Sequence, residues 1–457
     1  MSRGLIVEII RTSKNRKEKI QKIAFEDLLS HKQSEHYLIV NLSQEKQRFI
    51  GFGGALTRSV QINYHLLSQE QKKELLEAYF SPKGLNYRIG RVHISSCDFG
   101  DKQYDYYAKN SHDISTFTLN EERMLLSLLQ DIRTIQPHFM LYATPWSPSS
   151  WMKTNNDRCH GGKLLPEYVD EWANYIATYL EKMEETNNHI DFLSVQNEPE
   201  AIQKWDSLEV TAIEEGDFIK NHLRKYLMEK KLNPQICIWE HNKDHAYIRA
   251  KTTLSDKSVN KLVGAVSYHW YVSNDFDSLD KIHNDFPNKH IYFTEGCVEL
   301  TLTYNKKSIS DYHNGEVYGY NIIEGFNHYT EMFLDWNILL DERGGPTYVD
   351  NFCEAPILFD TRNKKLIYNT SYYYLYHFAH FIKPDSVILN TITKLPNHVY
   401  AIATKSKENL VIVLQNENTE DCIINLFLEN KPMNINLLGN SIVTISLNKE
   451  ELIGLNK

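Results

Sequence analysis

The sequence predicts an α/β fold: a closed (β/α)8 TIM barrel with an attached all-β sandwich formed by both chain termini. Three observations carry that prediction. Eight short β-rich runs recur between residues 49 and 340, with segments of helical periodicity between them. Several of the runs are almost continuously apolar, as strands buried on both faces of a parallel sheet are. Beyond Pro384 the helical pattern stops, and short strands separated by Asn-rich turns replace it. Eight strand–helix units favour a closed barrel over a doubly wound sheet.

The predicted barrel strands are Phe49–Thr57, Tyr87–Ser96, Phe139–Trp146, Ile190–Pro199, Gln235–His241, Leu262–Tyr271, His290–Val298 and Met332–Leu340. Among the helical segments, Ser68–Phe80 opens on a capping serine and sets Leu75, Leu76 and Tyr79 on one face. Leu119–Ile135, Pro166–Glu185 and Leu208–Lys230 read the same way. The catalytic barrel is expected to span residues 48–385. The C-terminal strand candidates are Val399–Ala403, Leu410–Gln415, Cys422–Leu428 and Ser441–Leu447. Residues 1–47 add the runs Leu5–Ile10 and His36–Leu42, too few to form a domain alone. They are expected to pair with the C-terminal sheet, so that 1–47 and 386–457 make one β-sandwich domain.

A chain of 457 residues can bury a large core without disulfide or metal staples. With 42% hydrophobic and 24% charged residues, bulk disorder is excluded. The net charge of -9 and the shortness of the most basic stretch, Lys14–Lys22, leave no footprint for nucleic acid and argue against an anionic membrane surface. The N-terminal apolar stretch is broken at Glu8, and no window approaches the roughly 20 apolar residues of a membrane span. A cytoplasmic protein with reduced thiols is expected. The six cysteines contain no CxxC pair, which excludes a disulfide framework or zinc site of the usual spacing, and neither metal nor cofactor is expected. The 12% of aromatic residues supplies flat apolar faces of the kind that suit sugars and other ring-bearing ligands.

A barrel of this kind places its active site at the C-terminal ends of its strands. In strand order those ends offer Arg91 and Asp98, Trp146, Asn197 and Glu198, Glu240 and His241, His269 with Trp270 and Tyr271, Glu295, and Asp335 with Trp336. No phosphate-binding glycine loop accompanies them. Two opposed carboxylates are what glycosidic cleavage requires, one to protonate the leaving oxygen and one to attack the anomeric carbon or activate water. Glu198 and Glu295, on the fourth and seventh strands, fit those roles. Asn197-Glu198-Pro199 also stops its strand abruptly and places an amide beside the acid.

The segments GFGGALT (51–57), RVHISSCDF (91–99), ATPWSPSSWMKTN (143–155), SVQNEPEA (194–201), HWY (269–271), FTEGCV (293–298), DWNILLDERGGP (335–346) and NFCEAPI (351–357) together resemble glycoside hydrolase family 30, the family of the acid β-glucosidases (glucosylceramidases) and their bacterial relatives. The resemblance spans nearly the whole barrel and implies the same barrel and sandwich. It further implies a retaining, exo-acting β-glycosidase acting on a small-molecule β-glycoside or short oligosaccharide. Glu198 would be the general acid/base and Glu295 the nucleophile, with Arg91 and Tyr271 as donors to Glu295. Asp98, Trp146, Asn197, Trp336 and Asn351 fall where the family binds the glycone, with His269 orienting its neighbours and Trp270 a supporting wall. The acid role leads to the expectation that burial and the charge of Glu295 raise the pKa of Glu198.

Other readings stay open at this level. β-Xylosidase, β-fucosidase and β-1,6-glucanase activities occur in the same family. A metal-dependent barrel hydrolase would draw on His93, His269, Glu295 and Asp335, and a sugar-binding protein without catalysis is the third class. Glu240 and His241 either reach the leaving-group subsite or form a salt bridge behind it. Trp205 either lines the entrance or docks an exposed loop. Cys97 and Cys297 read as buried packing residues, and His93 as a core histidine. Arg58 stands where many relatives carry an acidic residue, which leaves open what polar network surrounds the first strand.

Overall fold

The computed structural model describes residues 7–14, 19–109, 111–300, 308–429 and 431–448. Leu5 and Ile6 of the first predicted strand, and residues 15–18 of the basic stretch, lie outside them.

Eight parallel strands close into a barrel. In chain order they are β1 (Gly51–Ala55), β2 (Ile89–Ile94), β3 (Met140–Pro145), β4 (Phe192–Ser194), β5 (Gln235–Asn242), β6 (Val263–His269), β7 (His290–Glu295) and β8 (Met332–Asp335). β8 pairs with β1 to complete the ring. Each lies within a run predicted from sequence, except that β5 extends one residue further, to Asn242. The glycines of β1 permit this closure, because a Cβ on Gly53 would sit 2.0 Å from the carbonyl oxygen of Ile89.

The inward face follows from strand parity. Ile89, Tyr142, Phe192, Cys237, Ala265 and Tyr292, one per strand from β2 to β7, form a single buried cluster with Met332 and Leu334 of β8. Side chains two or four residues further along share that face, which brings Arg91 and His269 over the cluster. Glu240 and Glu295 stand three residues beyond Cys237 and Tyr292, on the wrong parity. Register shifts at Trp239/His241 and Phe293/Glu295 correct this. Trp239 and Glu240 adopt positive φ, 76° and 53°, within the first of these irregularities.

The helices used below are α1 (Arg58–Leu66), α2 (Gln69–Phe80), α3 (Arg123–Ile135), α4 (Val169–Glu185) and α5 (Ala212–Asp217). Ser68 caps α2 in a full capping box with Gln71. The predicted helix Leu208–Lys230 starts later, at a second capping box formed by Thr211 and Glu214, and a π-helical turn interrupts it at Phe218–Leu223.

Both chain ends meet in one nine-stranded, mostly antiparallel sheet. Val7–Ser13 pairs with Ser441–Asn448, and Tyr37–Arg48 lies between Val387–Lys394 and Cys422–Leu428. The strand Asn409–Asn416 shows why this sheet is held to the barrel. Leu410, Ile412 and Leu414 enter a core internal to the sheet, while Val411 and Val413 on the opposite face join the core shared with the barrel helices. Among the described residues no helix is long and apolar enough to cross a membrane.

Candidate active site

Arg91 organises the rim. Its buried guanidinium donates through Nη1 to Glu295 and through Nη2 to Oδ1 of Asn197 at 2.8 Å, and it also lies 2.8 Å from Glu240. The guanidinium carbon sits 4.9 Å from the ring centroid of Trp146 and 5.1 Å from that of Trp336. Those two indoles stack on each other at 5.7 Å. The planar fork and its cation–π contacts explain why this position holds arginine.

Glu295, at the end of β7, accepts hydrogen bonds on both oxygens, from Arg91 on one and from the Tyr271 hydroxyl at 2.9 Å on the other. Such contacts fix the orientation of the carboxylate. Trp270 backs this corner, donating from Nε1 to the carbonyl of Cys297 and packing against Phe293 and Tyr318.

Glu198 follows β4 in a left-handed conformation, φ 43°, its N–H donating to the carbonyl of Glu240 rather than to a strand ladder. That turn ends the strand before the predicted Pro199. Nδ1 of His269 lies 3.1 Å from Glu198 Oε1, and Nδ1 of His241 lies 3.6 Å from the same oxygen. Burial pushes the Glu198 carboxyl up, but His241, His269 and Arg91 outweigh it and bring the pKa down to about 2. For His269, burial pulls downward, and Glu295, Glu198 and Glu240 outweigh it and raise the pKa to about 9. This corrects the expectation of a raised Glu198 pKa: the neighbouring imidazoles and Arg91 favour its carboxylate form. The sequence signals were His241 after Glu240, on the neighbouring strand β5, and the His in HWY, on β6 one strand further round.

Asp98, beyond the end of β2, is 4% exposed and accepts a hydrogen bond of 2.9 Å from Asn351. Burial, with Glu295 next, pushes its carboxyl up to about 8. Trp146, Trp336 and Cys97 share one buried cluster at this rim, and Trp205 and Tyr271 pack on its edge. Lys204 and Asp206 tie the loop carrying Trp205 to Val349 and Tyr348, in the segment that bears Asn351.

The open alternatives resolve individually. Glu240 is fully buried against Arg91 and the Tyr142 hydroxyl, so it is an internal ion pair, whereas His241 reaches Glu198. Arg58 pairs with Asp101 at 2.8 Å and Glu121 at 3.2 Å, supplying a network of its own beside β1. Cys97 and Cys297 are buried, and burial pushes both thiols well up, consistent with packing. The ring nitrogens of His93 meet the N–H of Arg58 and the carbonyl of Ser95. Asp335 is buried on the Tyr318 hydroxyl. The set His93, His269, Glu295 and Asp335 is therefore not assembled as metal ligands. Glu198, His241 and His269 do bring three potential ligand atoms within 4.8 Å of one another. Two of those atoms are already engaged in the Glu198–His269 contact.

Residues 49–382 match the family described as "Glycosyl hydrolase family 30 TIM-barrel domain". The chain is 28% identical over 404 residues to "Lysosomal acid glucosylceramidase" of Mus musculus, covering 84% of this chain and 78% of that protein. It is 25% identical over 370 residues to "Endo-1,6-beta-D-glucanase neg1" of Aspergillus fumigatus, covering 76% and 73%. The crystal structure of SrfJ from Salmonella typhimurium superposes with a TM-score of 0.90 at 28% identity, covering 97% of this chain and 99% of that one.

Proposed function

Given that this chain belongs to glycosyl hydrolase family 30 and is an O-glycosyl hydrolase acting on β-glycosides, we propose that it is a retaining, exo-acting β-glucosidase working by double displacement. The observation that carries this reading is the contrast between its two rim glutamates. Glu295 is held by Arg91 and Tyr271 as a nucleophile would be, and Glu198 is in contact with an imidazole whose pKa its carboxylate neighbours raise to about 9.

In the first step a Glu295 oxygen bonds to the anomeric carbon as the glycosidic C–O bond breaks, and the leaving oxygen takes a proton from Glu198. That proton comes from the His269 imidazolium through the 3.1 Å contact. Glycosylation of Glu295 removes the largest influence holding the His269 pKa up. Glu198 is then left as the base that takes a proton from water, while the water oxygen displaces Glu295 from the anomeric carbon. Asn197, fixed by Arg91, is placed to bond the sugar 2-hydroxyl. Asp98 and Asn351 bind further hydroxyls, and Trp146 and Trp336 wall the ring.

The similarity to a protein named glucosylceramidase supports glucose as the glycone, and the similarity to one named endo-1,6-β-D-glucanase makes β-1,6-glucan the second reading. Proton NMR of 4-nitrophenyl β-glucoside hydrolysis tests the proposal. β-Glucose is expected as the first-formed product. α-Glucose would overturn retention, and an inert glucoside beside a cleaved internal β-1,6 linkage would overturn the exo-glucosidase assignment.

A further inference from the structure

A second cavity, of about 350 Å³, lies between the end of β4, the start of α4 and the helix beginning with α5. None of the residues assigned above to sugar binding or catalysis lines it. Its volume falls in the range that small-molecule sites occupy. Leu164, Val169 and Trp172 form one part of the wall, and Val195, Leu208 and Phe218 another.

Two features single it out from an ordinary packing defect. The first is Gln196, which lines the cavity, is 1% exposed and leaves Oε1 without a hydrogen-bond partner. Its Nε2 donates to the carbonyls of Trp146 at 2.8 Å and Asn197 at 2.9 Å. Flipping the amide would turn Oε1 against those two carbonyls, so the orientation is fixed and a buried acceptor is left unused. The second is the wall itself. The π-helical turn Phe218–Leu223 contributes Phe218 and His222 to the cavity, and such turns recur at functional sites.

The charge at the cavity selects the ligand. Glu214 is paired with Lys163 at 2.8 Å, and Glu215 with Arg249 at 3.5 Å. Glu209 has no basic partner among the described residues, and Asp217 has only His222, at 3.7 Å. Negative charge is therefore in excess around an apolar, aromatic chamber with one free acceptor.

We infer that this cavity is an effector site for a small organic amine built on a ring-sized apolar body, which donates to Gln196 and sets its cationic end toward Glu209 and Asp217. Occupancy acts on the sugar pocket through Gln196, whose amide holds the backbone of both Trp146 and Asn197. The inference concerns binding outside the catalytic pocket and does not depend on which glycoside is cleaved.

The probe is tryptamine, whose indole N–H and ammonium supply the two donors, with indole-3-acetate as the anionic control. Titration calorimetry on the full chain is expected to give tryptamine a Kd of about 0.1–1 mM, as a ligand of its size allows, and the control at least about tenfold weaker. Tryptamine is further expected to change kcat, for whichever nitrophenyl β-glycoside the enzyme cleaves, by about twofold or more, an effect that excess substrate does not relieve. Val169→Trp, which fills the chamber, should retain basal activity and lose both responses. Crystals soaked in 5-bromotryptamine supply a readout independent of that variant: a bromine anomalous peak is expected between Trp172 and Phe218. Absence of binding, equal binding of the acetate, competition with substrate, an unchanged Kd in a folded Val169→Trp protein, or bromine located elsewhere would each overturn the inference.

Discussion

Nδ1 of His269 lies 3.1 Å from Oε1 of Glu198, and the contact draws the Glu198 pKa down while helping to raise that of His269. In the proposed mechanism, Glu198, with a low pKa of its own, is kept supplied by a neighbour with a high one. Because Glu295 is the largest of the influences that raise His269, its charge bears directly on the protonation of the Glu198–His269 pair.

This coupling predicts the alkaline limb of activity. kcat/KM should fall above about pH 9, where the imidazolium is lost and Glu198 has no proton to pass on. His269→Gln should remove that limb. It should cost about 10³-fold on an alkyl β-glucoside but only about tenfold on a nitrophenyl glucoside, whose leaving group needs little protonation. Equal losses on both substrates would show that His269 acts only on structure.

The same pair predicts how stability varies with pH. The raised His269 pKa contributes stability that is complete below its unfolded value of 6.5 and is lost as pH rises toward about 9. The lowered Glu198 pKa contributes stability present above 4.5 and lost as pH falls toward about 2. The pair's contribution to the melting temperature should therefore decline on both sides of the window from about pH 4.5 to 6.5. In His269→Gln the alkaline decline should be shallower than in the parent protein.

Asp98 exacts a stability cost at neutral pH. Its pKa is raised from 3.8 to about 8, so the folded chain binds a proton there that the unfolded chain releases, and stability falls as pH rises across that interval. Asp98→Asn removes the cost and is predicted to melt higher at pH 7.5 while losing about 10²-fold in kcat/KM through weaker hydroxyl binding. A lower melting temperature for this variant would contradict the assignment of Asp98 as a buried, costly acid.

Arg91→Lys should be severe although the charge is conserved. One ammonium cannot serve Glu295, Asn197 and Glu240 together while lying over two indoles. A loss of about 3–5 kcal/mol is expected in urea unfolding, since buried carboxylates are left without their partner. Tyr271→Phe removes a single donor to Glu295 and should lower kcat about 10- to 100-fold with little effect on unfolding.

Most of the barrel was legible because buried parallel strands are written as apolar runs, and every one of the eight runs contains a barrel strand. Glu198 was legible from the abrupt Asn-Glu-Pro stop and Glu295 from its strand end. The electrostatics were not. Which of Glu240 and His241 faces the barrel interior depends on the irregularity at Trp239–His241, a backbone detail with positive φ at two ordinary residues. Without it, the ion pair of Glu240 with Arg91 and the approach of His241 to Glu198 cannot be read, and the pKa of Glu198 comes out with the wrong sign. Gln196 went unnoticed for a similar reason, since its importance lies in two backbone carbonyls rather than in its residue type.

The most direct test of the double-displacement account is peptide mass spectrometry after incubation with 2,4-dinitrophenyl 2-deoxy-2-fluoro-β-glucoside, which slows hydrolysis of the covalent intermediate more than its formation. The account predicts one fluoroglucosyl group per chain, carried by the peptide containing Glu295 and attached to that residue. A label on Glu198 or elsewhere, or an unlabelled enzyme that still turns over the β-glucoside, would contradict it.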